Sequence, residues 1–187
     1  MPDWNLVYTE KLVENATPAE VLLMNKHLLS SQGEALDYAS GLSGNGIYLA
    51  EKGYKVKAWD LSDIAVEKIK QYSKNENLDL DAEVHDLENL QPDIQNKFDV
   101  VVVSYFLHRE SLRYLYNVLK KGGLLFYQTF SGLQYQNQGP SREAFRMKSN
   151  ELLEVFSDMQ LLFYREDDEN STGPECKQGQ VYFVAKK

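Results

Sequence analysis

Three acidic residues and one run of small residues carry most of the chemistry this sequence offers. The run is Ala35-Leu36-Asp37-Tyr38-Ala39-Ser40-Gly41-Leu42-Ser43-Gly44-Asn45-Gly46-Ile47, where an acid in an apolar segment precedes closely spaced small residues. Small residues let a ligand approach the backbone closely. A helix opening there adds free N–H groups and a partial positive charge. The other two acids are Asp60, in Ala58-Trp59-Asp60-Leu61-Ser62, and Asp86, in His85-Asp86-Leu87.

The spacing selects among ligands. A dinucleotide-binding loop reads G-x-G-x-x-G from the strand end. Here the glycines fall at Gly41, Gly44 and Gly46, and Asp37 stands ahead of them. An anionic side chain at that point repels a pyrophosphate and suits a sulfonium and ammonium pair, which disfavours a nicotinamide-dependent enzyme. Asp60 can accept both hydroxyls of a ribose. Asp86 can accept from an adenine amino group, with Leu87 packed on the ring. Each acid alone also reads as a helix cap or loop acid; the three at successive strand ends point to an adenosine-bearing cofactor.

A second constellation is Ser104-Tyr105-Phe106-Leu107-His108-Arg109. His108 is a candidate base, because an unperturbed histidine titrates near ~6.5. Arg109 can hold an anionic substrate. Both can equally be the start of the following helix. The segment Ser131–Lys148 is long, polar and aperiodic, as functional or disordered loops are. Its Arg142, Arg146 and Lys148, with Tyr135 and Phe145 among them, suggest a lid that favours an anionic or polar small molecule. The acidic tip Arg165–Gln178 holds Cys176, which reads as incidental.

Positioning these residues takes alternating strands and helices. Ala35–Ala39, Tyr54–Asp60 and Leu80–Asp86 read as strands; Asn45–Lys52 and Asp63–Asn75 read as helices, the second with Ser62 at its N-cap. Val100-Val101-Val102-Val103, within Phe98–Ser104, is continuously apolar, as a central strand covered on both faces must be. Arg109–Lys120 is predicted helical and ended by Lys121-Gly122-Gly123, with a strand over Leu124–Phe130. Ser149–Asp158 is predicted helical, and Gln160–Asp167 with Gln180–Ala185 reads as an antiparallel hairpin. Ahead of them all, Thr17-Pro18-Ala19-Glu20 reads as a capping box opening a helix with Val21, Met24 and Leu28 on one face. The alternation implies an α/β fold with a seven-stranded, mostly parallel sheet and a C-terminal antiparallel hairpin.

This layout and these motifs resemble the class I S-adenosylmethionine-dependent methyltransferases. Asp37-x-Ala39-x-Gly41 stands where that family has D/E-x-G-x-G, with Ala39 replacing its first glycine and Ser43 its third. The chain is also similar, over essentially all of 1–187, to a small bacterial branch near the tellurite-resistance and thiopurine-type methyltransferases. The matching text is Gly44-Asn45-Gly46-Ile47-Tyr48-Leu49-Ala50, Lys121-Gly122-Gly123-Leu124-Leu125-Phe126-Tyr127-Gln128-Thr129-Phe130 and Asn150-Glu151-Leu152-Leu153.

The resemblance implies a Rossmann-like fold with helices on both faces of the sheet, in one domain over 1–187. Residues 1–33 would form an N-terminal arm and helix, with Trp4 and Tyr8 closing one side of the site, and 131–148 the substrate lid. It implies S-adenosyl-L-methionine as cofactor, held by Asp37, Ala39, Gly41, Ser43, Asn45, Asp60, Leu61, Asp86, Leu87 and Ser104. Substrate would meet Tyr105, Arg142 and Arg146, and His108 and Arg109 would be the catalytic candidates. The expected activity is methyl transfer to a small-molecule acceptor through S, Se, Te, O or N. The alternative is a sensor or partner subunit that binds the cofactor without transfer. The fourth strand end lacks the N/D-P-P-Y/F tetrapeptide of enzymes that methylate base amino groups, which argues against DNA.

Composition agrees. The 187 residues are 43% hydrophobic, enough for a globular core. A net charge of −8 repels phosphate backbones and lowers the case for a nucleic-acid partner. One cysteine permits no internal disulfide, and with His27, His85 and His108 it argues against structural zinc. Met1–Glu10 shows no signal-peptide pattern, and no apolar run nears the ~20 residues a membrane span needs. A cytoplasmic protein is expected, monomeric by default, with neither membrane nor nucleic-acid partner.

Overall fold

The computed structural model describes residues 3–132, 134–167, 170–173 and 175–187. Asp168, Glu169 and Pro174, part of the predicted acidic tip, lie outside the described residues, as do Met1, Pro2 and Leu133.

The strands are β1 (Gly33–Tyr38), β2 (Tyr54–Asp60), β3 (Leu80–Val84), β4 (Phe98–Ser104), β5 (Leu119–Phe130), β6 (Gln160–Asp167) and β7 (Gln180–Lys186). The helices are α1 (Trp4–Thr9), α2 (Glu20–Met24), α3 (Gly44–Glu51), α4 (Asp63–Asn75), α5 (Leu112–Val118) and α6 (Glu151–Val155). The seven strands form one sheet in the order β3-β2-β1-β4-β5-β7-β6. The first five run parallel, and β7 is antiparallel to both β5 and β6. Strand order reverses between β1 and β4, so a crevice opens at their C-terminal ends, where ligands of open α/β sheets bind.

Alternation along β4 divides the core in two. Val100 and Val102 pack with Val21 and Leu22 of α2, Leu49 of α3 and Val66 and Ile69 of α4. Val101 and Val103 point the other way, into Leu112 and Leu115 of α5 and Leu152 of α6. All four valines are essentially inaccessible. Full burial of each contributes about 1.5–3 kcal/mol, so this strand anchors both layers. The helices lie on both faces, as expected.

Several predicted boundaries move; β3 ends at Val84 rather than Asp86, so Asp86 lies two residues past the strand. The capping box at Thr17 does not form: α2 starts at Glu20, with Ala19 at its N-cap and no side-chain cap. The free amides are met from elsewhere: Ala19 N–H donates to Asn45 Oδ1 at 2.8 Å and Val21 N–H to Gln128 Oε1 at 3.0 Å. Glu20 instead accepts from Lys177 and Tyr182. The helix predicted to Lys120 ends at Val118, and Lys121-Gly122-Gly123 lies inside β5 rather than ending a helix. A Cβ on Gly123 would stand 3.0 Å from the Phe98 carbonyl, where the β4–β5 register shifts, so the glycine permits close strand approach. Lys187 Nζ meets the Tyr116 and Leu119 carbonyls, satisfying the end of α5. The helix predicted over Ser149–Asp158 is the shorter α6, behind Asn150 in the left-handed region at φ 63°. Ser62 does cap α4, accepting from Ala65 N–H at 3.1 Å.

Candidate cofactor and acceptor cleft

The loop from β1 to α3 is built around Asp37. This carboxylate is fully buried. It accepts from Ser43 Oγ at 2.9 Å, Asn45 Nδ2 at 3.1 Å and Gly46 N–H at 3.0 Å. Burial pushes its pKa up to about 6, against the downward pull of those donors. Asp37 therefore folds the loop from behind. It is absent from the cleft wall, which corrects the expectation that it faces the ligand.

Ala39, Gly41 and Ser43 all take left-handed backbone, at φ 56°, 55° and 57°. Ala39 and Ser43 thus hold a left-handed backbone that glycine adopts more readily. The left-handed turn stays on Ser43 and does not pass to Gly44. Left-handed backbone costs a non-glycine residue about 1–2 kcal/mol, and the Ser43–Asp37 bond offsets it. Gly44 serves close packing: a Cβ there would stand 2.4 Å from the Thr17 carbonyl. Asn45 joins three segments through Ala19 N–H, Asp37 and Ser104 Oγ, the last at 3.2 Å.

Asp60, at the end of β2, faces the cleft with its carboxylate already organised. Its Oδ2 accepts from Gly41 N–H at 2.7 Å and its Oδ1 from Ser62 N–H at 2.9 Å. Each oxygen keeps a lone pair for a further donor. Burial raises its pKa. Asp86 also lines the cleft, but its carboxylate caps the turn that follows, accepting from Glu88 N–H, Asn89 N–H and Asn89 Nδ2. The Asn89 side chain is the main cause of its lowered pKa. Leu61, Leu87 and Ser104 complete this part of the wall with Ala39, Gly41, Ser43 and Asn45.

The N-terminal arm covers this half. Asn5 accepts from the Ser62 hydroxyl at 2.7 Å, and Lys68 Nζ donates to the carbonyls of Tyr8, Thr9 and Lys11. Trp4 stacks on Tyr8, whose hydroxyl lies over Gly41. Burial first, then the charges of Asp60 and Asp37, push the Tyr8 hydroxyl up to about 12.

The other half is formed by Ser104–Leu107, Thr129, Phe130 and the lid residues Gly139–Arg142 and Phe145. The Arg142 side chain is exposed there and makes no hydrogen bond or ion pair among the described residues. Three expected site residues are engaged elsewhere. Arg146 is 2% exposed and donates to the carbonyls of Ser131, Gly132, Gln138, Pro140 and Gly179, so it holds the lid rather than a substrate. Arg109 pairs with Glu151 through Nε at 2.6 Å and Nη2 at 2.9 Å. His108 is off the cleft wall, with Nδ1 on Ser111 Oγ at 2.5 Å and Nε2 3.1 Å from Glu110.

Two features went unread in the sequence, one on the wall and one buried behind it. Ser40 Oγ is buried with no partner among the described residues. A buried hydroxyl without a partner costs free energy, so a ligand atom that meets it is favoured. It sat within the small-residue run, between two left-handed residues. The other is Gln128, fully buried at the end of β5. Its signal was a long amide interrupting the apolar text of a central strand. The whole cleft measures about 1360 Å³. Single-ligand sites are usually ~300–1,000 Å³, so two small molecules fit side by side.

Sheet order, loop conformation and cleft position define a Rossmann-like class I methyltransferase fold. The chain belongs to the TehB family: the family model for "Tellurite resistance protein TehB" matches residues 5–175. It is 27% identical, over 143 residues covering 72% of this chain and 48% of the relative, to a Haemophilus influenzae protein named "Probable S-adenosyl-L-methionine-dependent methyltransferase TehB". The chain thus spans about half the length of that relative. Its structure is similar to the crystal structure of TehB from Haemophilus influenzae, with TM-score 0.71 and 24% identity, covering 98% of this chain and 67% of that one. It is similar also to a SAM-dependent methyltransferase from Aquifex aeolicus, with TM-score 0.71 and 16% identity over 100% and 99% of the two chains.

Proposed function

We propose that this protein transfers a methyl group from S-adenosylmethionine to a small, anionic acceptor. The observation that carries the reading is Asp60: its carboxylate is fixed by the Gly41 and Ser62 amides on the cleft wall, where a ribose diol can add two more hydrogen bonds. Family membership and the names of the relatives support the same cofactor.

When bound, S-adenosylmethionine would supply a methyl carbon on its sulfonium sulfur, open to in-line attack with the thioether S-adenosylhomocysteine as the leaving group. The chain's own residues provide binding and alignment. Asp60 orients the ribose, Ser40 and the left-handed loop meet the amino-acid portion, and Leu61 and Leu87 pack beside the adenine. Tyr8 and Trp4 keep water from this half. Arg142 is the positive group of the lid half and attracts an anion. His108 stands outside the cleft, so the acceptors favoured are those whose lone pair is available at neutral pH, such as thiolates and chalcogen oxyanions. The family's link to tellurite resistance puts tellurite first in such a panel.

The test is turnover of methyl-labelled S-adenosylmethionine with tellurite, selenite and a set of thiols. Label passing to one of these acceptors supports the enzyme. Cofactor binding with no transfer to any would favour the sensor.

A further inference from the structure

We propose that Tyr105 reads the methyl acceptor, and that the buried Gln128 positions it by fixing the direction in which its hydroxyl donates. This rests on the proposal that the lid half of the cleft receives a small anion.

Gln128 cannot turn its amide over. Its Oε1 accepts from Val21 N–H at 3.0 Å. Its Nε2 donates to Tyr105 Oη at 2.9 Å and to Gln180 Oε1 at 3.1 Å. A flipped amide would set N–H against N–H at one end and oxygen against oxygen at the other, inside the core. The network therefore assigns the amide.

Tyr105 then has one role left for its proton. Its oxygen accepts from Gln128, so the hydroxyl can only donate outward. In this structure it donates to Gln180 Oε1 at 3.3 Å, a long bond to an oxygen already served by Gln128. The neighbouring Tyr182 hydroxyl is spent on Glu20 at 2.7 Å. An anionic acceptor offers Tyr105 a shorter, charge-assisted bond than Gln180 does.

The backbone agrees. Tyr105 is a bulky residue at φ 55°. Left-handed backbone is an outlier for such a side chain and persists where the surroundings impose it, often at ligand sites. Here Tyr105 N–H is held by the Gln128 carbonyl at 2.8 Å, and its ring packs on Phe130 with centroids 5.1 Å apart. Tyr105 is nonetheless 52% exposed, on the cleft wall. The acceptor class that fits is a small anion presenting an oxygen or sulfur lone pair to this hydroxyl.

The experiment titrates tellurite and benzenethiolate into the protein loaded with S-adenosylhomocysteine and follows binding by calorimetry. Tyr105→Phe and Gln128→Glu should each weaken whichever probe the native protein binds by about tenfold or more, the loss of one hydrogen bond to a charged group. The Kd for S-adenosylhomocysteine should stay unchanged. Gln128→Glu keeps the oxygen facing Val21 but turns the other end into an acceptor, so it consumes the Tyr105 proton. The double variant should bind no more weakly than Tyr105→Phe alone. Gln180→Met, which removes the competing acceptor, should leave probe binding equal or tighter, and it keeps the idea testable should Gln128→Glu fold poorly. Equal binding by Tyr105→Phe, multiplicative losses in the double variant, or a native protein that binds S-adenosylhomocysteine but neither probe would overturn the assignment. A native protein that does not bind S-adenosylhomocysteine would contradict the methyl-transfer reading instead.

Discussion

Ser43 and Asp37 stabilise each other across the loop: the serine hydroxyl donates to the buried carboxylate at 2.9 Å while its own backbone holds φ 57°. A family glycine would adopt that backbone at lower cost but could not donate. Ser43→Ala should therefore lose the bond and keep the strain, lowering stability by about 1.5–3 kcal/mol. Ser43→Gly should lose less, because the left-handed cost is relieved. Urea unfolding of the three proteins checks the order; Gly below Ala would contradict it.

Asp37 gives stability a definite pH dependence. Its pKa is raised from 3.8 to about 6 by burial. Between those values the folded chain holds a proton that the unfolded chain has released. The contribution to stability is thus fully present below 3.8 and is lost as pH rises through about 6. The shift corresponds to something on the order of 3 kcal/mol. Asp37→Asn should remove this downward slope of unfolding free energy between pH 4 and 6.5, even though the amide is a poorer partner for Gly46. An unchanged slope in equilibrium unfolding would exclude Asp37 as its source.

The two lid arginines should separate cleanly. Arg142 is exposed on the cleft wall, so Arg142→Ala should raise the acceptor KM while moving stability by less than about 0.5 kcal/mol. Arg146→Ala leaves several buried carbonyls without a donor and should cost about 2–4 kcal/mol. Thermal unfolding and steady-state kinetics on both variants distinguish the roles.

His108→Ala should leave the pH–rate profile unchanged. The ring is bonded to Ser111 and Glu110 and does not reach the cleft. Loss of an activity limb near neutral pH in the variant would return His108 to the mechanism.

The fold was legible because its signals are local. Four consecutive valines can be covered on both faces only in a central strand, and β4 is that strand. Of the three acids read as a set, Asp60 and Asp86 line the cleft and Asp37 does not. What sequence patterns missed was partner choice. Asp37 reads as a ligand residue until Ser43, Asn45 and Gly46 are found on it. Arg109 and Arg146 read as anion binders, yet one answers Glu151, 42 positions away, and the other answers loop carbonyls. Thr17 has no cap role: the Ala19 amide it would take donates to Asn45, and the next free amide, Val21 N–H, donates to Gln128, both from distant segments. Such long-range pairings override local preference, and no spacing rule reports them.

If Asp60 and the Asp37–Gly46 loop hold S-adenosylmethionine, stabilisation of the fold by the cofactor must run through Asp60. Differential scanning of the native protein and Asp60→Asn, each with S-adenosylmethionine, S-adenosylhomocysteine or NAD, tests it most directly. Ligand at 100 times its Kd should stabilise the native protein by about 2.7 kcal/mol. That shift should appear with both sulfur ligands and not with NAD, and Asp60→Asn should show a much smaller one at the same concentrations. A shift with NAD alone, or one that Asp60→Asn leaves intact, would contradict it.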